Sequence, residues 1–114
     1  MKHNINQELA VLGDAVLKIA IREYYYKKGN SAVDIQAKEG TLGDNDYLYD
    51  IAIKKLKLQN HILSKNGLRN NPNINEAYAR TLEAIIGAIY LENKIEPSKE
   101  FVEKWIISPN PNAV

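Results

Sequence analysis

The stretch ELAVLGDAVL, residues 8–17, decides the fold. In the segment Glu8–Lys28 around it, one line of side chains follows the 3.6-residue helical period: Leu9, Leu12, Val16, Ile19 and Glu23. A second, apolar line lies on a different side of the same helix and contains Val11, Leu17 and Ile21. Because a helix that is apolar on two sides is buried on two sides, we expect a long helix with one side available to another subunit.

The remainder of the chain predicts further helices. Capping residues and apolar spacing predict a short helix capped by Ser31 that ends at about Glu39, and a helix from Asn45 to Lys57. A third helix is capped by Asn75 and ends at about Asn93. A last helix has Pro97 in its first turn, ends at about Ile107 and buries Phe101, Val102 and Trp105. A turn between Gly40 and Gly43, one or two helical turns in Asn60–Lys65 and a loop over Gly67–Asn75 complete the prediction. No segment alternates with period two for the length of a strand, so the predicted fold class is all-α.

The composition is that of one globular domain. The chain has 114 residues, of which 45% are hydrophobic, no cysteine and a formal net charge of +1. Disulfides and thiolate metal sites are therefore excluded, and RNA binding would need local clusters or several copies. Neither a signal-peptide pattern nor an apolar run of roughly 20 residues is present, so we expect a cytoplasmic protein without a membrane partner. We assign residues 1–107 to the domain and expect a frayed tail over residues 108–114.

Two carboxylates occupy unusual positions. Asp14 lies within the apolar residues 11–17 and Glu83 within residues 81–89, and burying an unpaired carboxylate costs several kcal/mol. Gly13 and Gly87 lie close to them, and a glycine inside a helix tends to have a packing reason. A close helix approach at these glycines would bring the acids together, where a cation such as Mg²⁺ relieves their repulsion. Alternatively, each acid points to solvent or pairs with a nearby Lys or Arg.

Other polar residues are weaker candidates for a site. His3 and His61 lack a partner at the spacing of a catalytic triad and are interpreted as surface residues. The run YYYKK at 24–28 can stack on nucleic acid, but we favour a helix end with its rings partly in the core. Three lysines are interpreted as a solvated face that can also contact RNA phosphates: Lys54, Lys55 and Lys57.

Two segments together resemble the ribonuclease III family. Residues 8–17 look like the signature helix of that family, and residues 79–91, ARTLEAIIGAIYL, look like its second catalytic helix. Between them, residues 45–48 followed by Leu58 and Gly67 are similar to its middle region. The resemblance covers about residues 8–107, and the two motifs in this order make it specific.

The resemblance implies a helical endonuclease domain that acts as a homodimer on double-stranded or structured RNA. Two signature helices meet across a twofold axis, and each protomer cuts one strand by water attack at phosphorus. Asp14 and Glu83 carry over as the catalytic residues and metal ligands, with Mg²⁺, or Mn²⁺ in its place, as the cofactor.

The sequence departs from the family pattern at several positions. Acids expected four and seven residues before Asp14 are Ala10 and Gln7, and the acid expected three residues before Glu83 is Arg80. Arg80 can either hold the scissile phosphate or neutralise the site, and Gln7 is the second site-modulating candidate. A dimer-contact aromatic is replaced by Val11. The short N-terminus, the alanine and the lack of a double-stranded-RNA-binding domain resemble the compact type, mini-ribonuclease III.

Three functions are therefore considered. A metal-dependent endoribonuclease is favoured because both Asp14 and Glu83 are retained. A ribonuclease III-fold module that binds RNA or a ribonucleoprotein without cutting is the alternative that the lost acids allow. A helical dimerisation domain without an RNA role is the least favoured.

Overall fold

The structure is a computed structural model that describes residues 5–60 and 73–110. Its helices are α1 (Ile5–Lys27), α2 (Ala32–Leu42), α3 (Asn45–Asp50) with a π-helical turn at Ile51–Lys55, a 3₁₀ turn at Leu58–Asn60, α4 (Ile74–Asn93), and α5 (Ile95–Val102) with a second π-helical turn at Glu103–Ile107. No strand occurs in these two segments, so the all-α prediction is confirmed. No helix in them is long and apolar enough to cross a membrane.

The core forms where α1 packs against α4 and the C-terminal helical segment closes over both. Its fully buried apolar side chains come from five elements: Leu17, Ile21 and Tyr25 of α1, Leu42 of α2, Leu48 of α3, Leu82 and Ile86 of α4, and Val102, Ile106 and Ile107 of the C-terminal helical segment. The Tyr47 hydroxyl donates a hydrogen bond to the backbone oxygen of Ile106. A second cluster lies beside it, where Tyr49 and Tyr78 meet edge to face with ring centroids 5.6 Å apart.

The second helix is longer than predicted. Ser31 is its N-cap, as predicted, with its hydroxyl accepting a hydrogen bond from the Asp34 N–H at 3.2 Å. The prediction that the helix ends at about Glu39 and turns at Gly40 is wrong, since the helix continues to Leu42 and ends at Gly43. Leu42 is only 1% exposed, and burying its side chain offsets the cost of a glycine inside the helix.

The start of α4 also differs from the prediction. The helix begins at Ile74 with Asn73 in the N-cap position, so Asn75 is not the cap. The Asn75 amide instead donates to Asp46 Oδ1 of α3 at 2.8 Å. This interaction ties the first turn of α4 to α3, and a sequence pattern carries no signal for such a tertiary partner.

The remaining local predictions are mostly confirmed. In the last helix Val102 is fully buried, but Phe101 and Trp105 are only partly buried. Of the predicted tail, residues 108–110 form a turn in which Asn110 is 9% exposed. Several predicted features lie outside the described residues: His3, His61, most of the turns predicted at 60–65 and of the loop at 67–75, and residues 111–114.

Candidate active site

The close crossing of α1 and α4 positions the two predicted acids. A Cβ atom built on Gly13 would lie 1.7 Å from the backbone oxygen of Glu83, and one built on Gly87 would lie 2.2 Å from the backbone oxygen of Leu9. Each helix therefore presents a glycine to the backbone of the other, and no larger residue fits. The prediction that these glycines have a packing reason is confirmed.

Asp14 and Glu83 meet at this crossing. Burial of the Glu83 carboxyl raises its pKa to about 7, and the hydrogen bond and charge of Asp14 act in the same direction. The positive charges of Arg80 and Lys18 oppose this rise in the pKa. Two carboxyl groups that repel each other in a partly buried place form a site with excess negative charge, which a cation stabilises.

Lys18 is the cation that Asp14 contacts directly. Its Nζ lies 3.0 Å from Asp14 Oδ2, with the two side chains 49% and 41% exposed. The sequence predicts either a meeting of the two acids or pairing with a nearby Lys or Arg. Both occur at Asp14, because its carboxylate pairs with a lysine and also faces Glu83. Lys18 was not among the predicted site residues, although its i,i+4 spacing from Asp14 is a recognisable signal.

Arg80 lies on the same side of α4 as Glu83. Its Nη2 is 3.1 Å from Glu76 Oε1, and the side chains are 45% and 52% exposed. The guanidinium is thus held one turn before Glu83, near enough for its charge to lower the pKa of that carboxyl. A cation now occupies the place where the resemblance expects a third acid.

A cavity of about 520 Å³ opens beside Asp14, between α1 and α2. Its walls include Lys18 and Arg22 of α1 and Glu39 of α2. Arg22 donates two hydrogen bonds to Glu39, from Nε at 2.6 Å and from Nη2 at 3.0 Å, which tie the two helices together.

The remaining candidate residues lie elsewhere. Lys54, Lys55 and Lys57 are exposed, as predicted, in and after the π-helical turn, and Lys54 Nζ is 3.9 Å from Asp50 Oδ1. None of these three lysines lines the cavity beside Asp14 in the part of the chain that the structure describes. In the tyrosine run, Tyr25 is buried, Tyr24 is partly buried and Tyr26 is 74% exposed, which confirms the helix-end interpretation for the first two rings.

The donor set suits one divalent metal ion of the Mg²⁺ type. Within residues 5–60 and 73–110, no group of three or more His, Asp or Glu side chains is arranged to hold a metal. Two adjoining carboxylates are nevertheless what Mg²⁺ takes from a protein when waters and substrate phosphates complete its shell. The Asp14–Glu83 pair fits that description.

Sequence comparison identifies the family. The family model described as Ribonuclease-III-like matches residues 1–110. The chain belongs to the ribonuclease-III-like family. A protein named Ribonuclease 3 from Shewanella halifaxensis is 36% identical in an alignment 111 residues long, which covers 91% of this chain and 47% of that protein. Ribonuclease 3 of Borreliella burgdorferi is 31% identical in an alignment 105 residues long, which covers 89% of this chain and 42% of that protein.

Solved structures of the family agree with the fold. The nuclease domain of ribonuclease III from Campylobacter jejuni superposes with a TM-score of 0.82 and 32% identity, covering 93% of this chain and 76% of that one. That structure is described for flexibility in a region involved in dimer formation. The ribonuclease-III-like chain spans about half the length of the curated relatives described above.

Two positions at which this ribonuclease-III-like chain departs from the family pattern lie on α1 and differ in exposure. Ala10 is 2% exposed and belongs to the buried surface of α1. Gln7 lies in the first turns of the same helix with an exposed side chain. The helix backbone expected by the resemblance is thus retained while its acidic set is reduced to Asp14 and Glu83.

Proposed function

We propose that this chain is a metal-dependent endoribonuclease that cleaves double-stranded or structured RNA by water attack on a phosphodiester. The observation that carries the proposal is the meeting of Asp14 and Glu83 across the glycine crossing. A repelling carboxylate pair in a partly buried place destabilises a fold, so its presence at the crossing favours a functional explanation. An RNA substrate is consistent with a cytoplasmic protein.

In this proposal Asp14 and Glu83 hold one Mg²⁺ or Mn²⁺. When bound, the metal supplies positive charge that lowers the pKa of water and stabilises the transferring phosphate. The chain itself brings both carboxylates together, because Gly13 and Gly87 let the backbones of α1 and α4 approach more closely than any larger residue would allow. Cation binding also favours the ionised form of Glu83, whose pKa is raised in the metal-free protein.

Arg80 is proposed to bind the scissile phosphate. Its salt bridge with Glu76 is an exposed i,i+4 pair, which is weak enough to yield to a phosphate. Gln7, exposed on α1, is a second candidate for contact with the substrate near the site. Lys54, Lys55 and Lys57 are proposed as contacts to RNA phosphates farther from the reacting bond.

A homodimer is part of the proposal, with each protomer cutting one strand. Three large apolar side chains of α1 are exposed, with the fractions 70% for Val11, 50% for Ile19 and 74% for Tyr26. Exposed apolar residues along one helix side favour a protein interface. Two copies would also supply the extended positive surface that a chain of net charge +1 does not have alone.

The second candidate is a family member that binds RNA or a ribonucleoprotein without cutting it. Arg80 is the specific observation in its favour, because a guanidinium beside Glu83 partly neutralises the site that a metal would occupy. In that case RNA binding persists without any dependence on the two carboxylates.

Cleavage of a labelled RNA duplex in Mg²⁺ and in EDTA tests the proposal. We expect metal-dependent cleavage that is lost in Asp14→Asn and Glu83→Gln, each of which also lowers Mn²⁺ affinity measured by titration. Glu92→Gln is the matched control, since Glu92 is an exposed acid on α4 outside the crossing. Duplex binding without cleavage by the wild type would support the second candidate instead.

A further inference from the structure

The ion pair that Lys18 forms with Asp14 is not explained by a contribution to the stability of the fold. Lys18 follows Asp14 by one helical turn, and its Nζ lies 3.0 Å from Asp14 Oδ2, with about half of each side chain exposed to solvent. Exposed i,i+4 pairs of this kind contribute little to folding. The proposed function assigns the Asp14 carboxylate to a metal, so Lys18 and the metal compete for the same oxygen atoms.

Lys18 lies beside an open cavity that its ammonium group can enter. The side chain lines the cavity of about 520 Å³ between α1 and α2. Arg22, the other cation on the same wall, is engaged by Glu39 through two hydrogen bonds. Among the ion pairs of residues 5–60 and 73–110, the only partner of Lys18 is Asp14, so a metal that takes Asp14 leaves a lysine on the wall of an open cavity.

We propose that Lys18 is a phosphate-binding residue of the active site, which Asp14 holds until a divalent metal takes that carboxylate and which then binds the RNA backbone. This inference rests on the proposed function. A divalent ion repels an ammonium group held at the same carboxylate. The flexible four-carbon stem of lysine allows it to swing away while its charge stays at the cavity.

The charge balance of the site supports a phosphodiester as the ligand. Asp14, Glu83 and the Arg80 partner Glu76 carry three negative charges when ionised, and Lys18 and Arg80 carry two positive charges. The metal-free site therefore has a small excess of negative charge, and one divalent ion makes it a cationic site. A compact ammonium is a usual binder of phosphate oxygens.

Mn²⁺ binding in the absence of RNA gives the first test. Lys18→Met keeps most of the side-chain length without the charge, and we expect it to bind Mn²⁺ about thirtyfold more tightly, the effect in water of one unit charge about 4 Å from a divalent ion. Lys27→Met is the matched control on the same helix, since Lys27 also forms an i,i+4 pair, with Glu23 at 3.0 Å. It should leave the Mn²⁺ affinity unchanged.

RNA binding gives the second test, with Ca²⁺ as the metal and a denaturing gel to show that the duplex stays intact. Lys18→Met should weaken binding and reduce the slope of log affinity against log salt by about one, the signature of one lost phosphate contact. Unchanged Mn²⁺ affinity and an unchanged slope, with Mn²⁺ binding by the wild type, contradict the inference alone. Absence of Mn²⁺ binding by the wild type contradicts the proposed function and the inference with it.

Discussion

The inner and outer sides of α1 have opposite surroundings, and this division does not follow the two lines of the sequence pattern, since Val11 is exposed whereas Leu17 of the same line is buried. The inner side contacts α4 through Gly13 and buries Leu17, Ile21 and Tyr25 to within 1% exposure. The outer side leaves Val11, Ile19 and Tyr26 half-exposed or more. The inner side is thus complete within one chain, whereas the outer side is complete only if a partner covers it.

Substitutions on the two sides of α1 are therefore expected to have different effects. On the inner side, glycine, apolar and carboxylate positions are all fixed by α4, so a change there acts on stability and on the site together. On the outer side, a change acts on association and leaves the folded monomer nearly as it was. The free energy of unfolding of the metal-free protein is a common scale on which to test this contrast.

The largest loss is expected for Gly13→Ala. The new methyl group would lie 1.7 Å from the Glu83 backbone oxygen, so α1 and α4 must separate. Overpacking typically costs about 1–3 kcal/mol, and a backbone clash belongs at or above the upper end. Urea unfolding measures the loss, and duplex cleavage should fall with it because Asp14 and Glu83 move apart.

Gly40→Ala is the matched control for that substitution. Gly40 lies inside α2, and apart from its chain neighbours and the nearby backbone of α2 itself, no atom of the described residues lies within 4 Å of a Cβ built on it. Replacing a glycine inside a helix by alanine should raise the free energy of unfolding by up to about 1 kcal/mol. A Gly13→Ala variant as stable as the wild type would contradict the close crossing.

An intermediate effect with a defined pH dependence is expected at Tyr47. Burial raises the pKa of its phenol to about 12, and its hydroxyl donates to the backbone of Ile106. The protonated form therefore stabilises the fold fully below pH 10, and this contribution is lost as the pH rises through 12. Tyr47→Phe should cost about 1 kcal/mol at pH 8 and lose less than the wild type between pH 10 and 12.

Urea unfolding at a series of pH values tests this expectation. Tyr26→Phe is the control, because it removes a phenol that is 74% exposed on the outer side of α1. It should leave the alkaline part of the stability curve as in the wild type. If Tyr47→Phe has the same pH dependence as the wild type, the buried hydrogen bond is not the source of the alkaline loss.

The smallest change in monomer stability is expected for Ile19→Ser on the outer side. Since half of the side chain is exposed, the free energy of unfolding of the monomer should change by no more than about 0.5 kcal/mol. The proposed dimer should dissociate more readily, which sedimentation at several concentrations measures. Leu91→Ser, a change at a similarly exposed residue of α4, should not affect association; equal effects of the two substitutions would argue against an α1 interface.

Local patterns predicted most of the helices because capping and apolar spacing act within a few residues. The Ser31 cap and the extents of α1 and α4 are of this kind. The predictions failed where a distant residue decided the outcome. Burial of Leu42 extended α2 past Gly40, and the start of α4 at Ile74 placed Asn75 inside the first turn, where its amide donates to Asp46.

The pair Asp14 and Glu83 was identifiable in the sequence because carboxylates are out of place between apolar neighbours and each lies close to a glycine. The two acids are 69 residues apart in sequence, and they meet because the backbones of α1 and α4 touch at Gly13 and Gly87. The i,i+4 pair of Lys18 with Asp14 was recognisable in the sequence, but the role proposed for Lys18 depends on the tertiary structure, which packs a second acid beside that pair. Helical periodicity fixes which residues share a face, but contact between helices fixes which faces are buried, and that contact energy is not local.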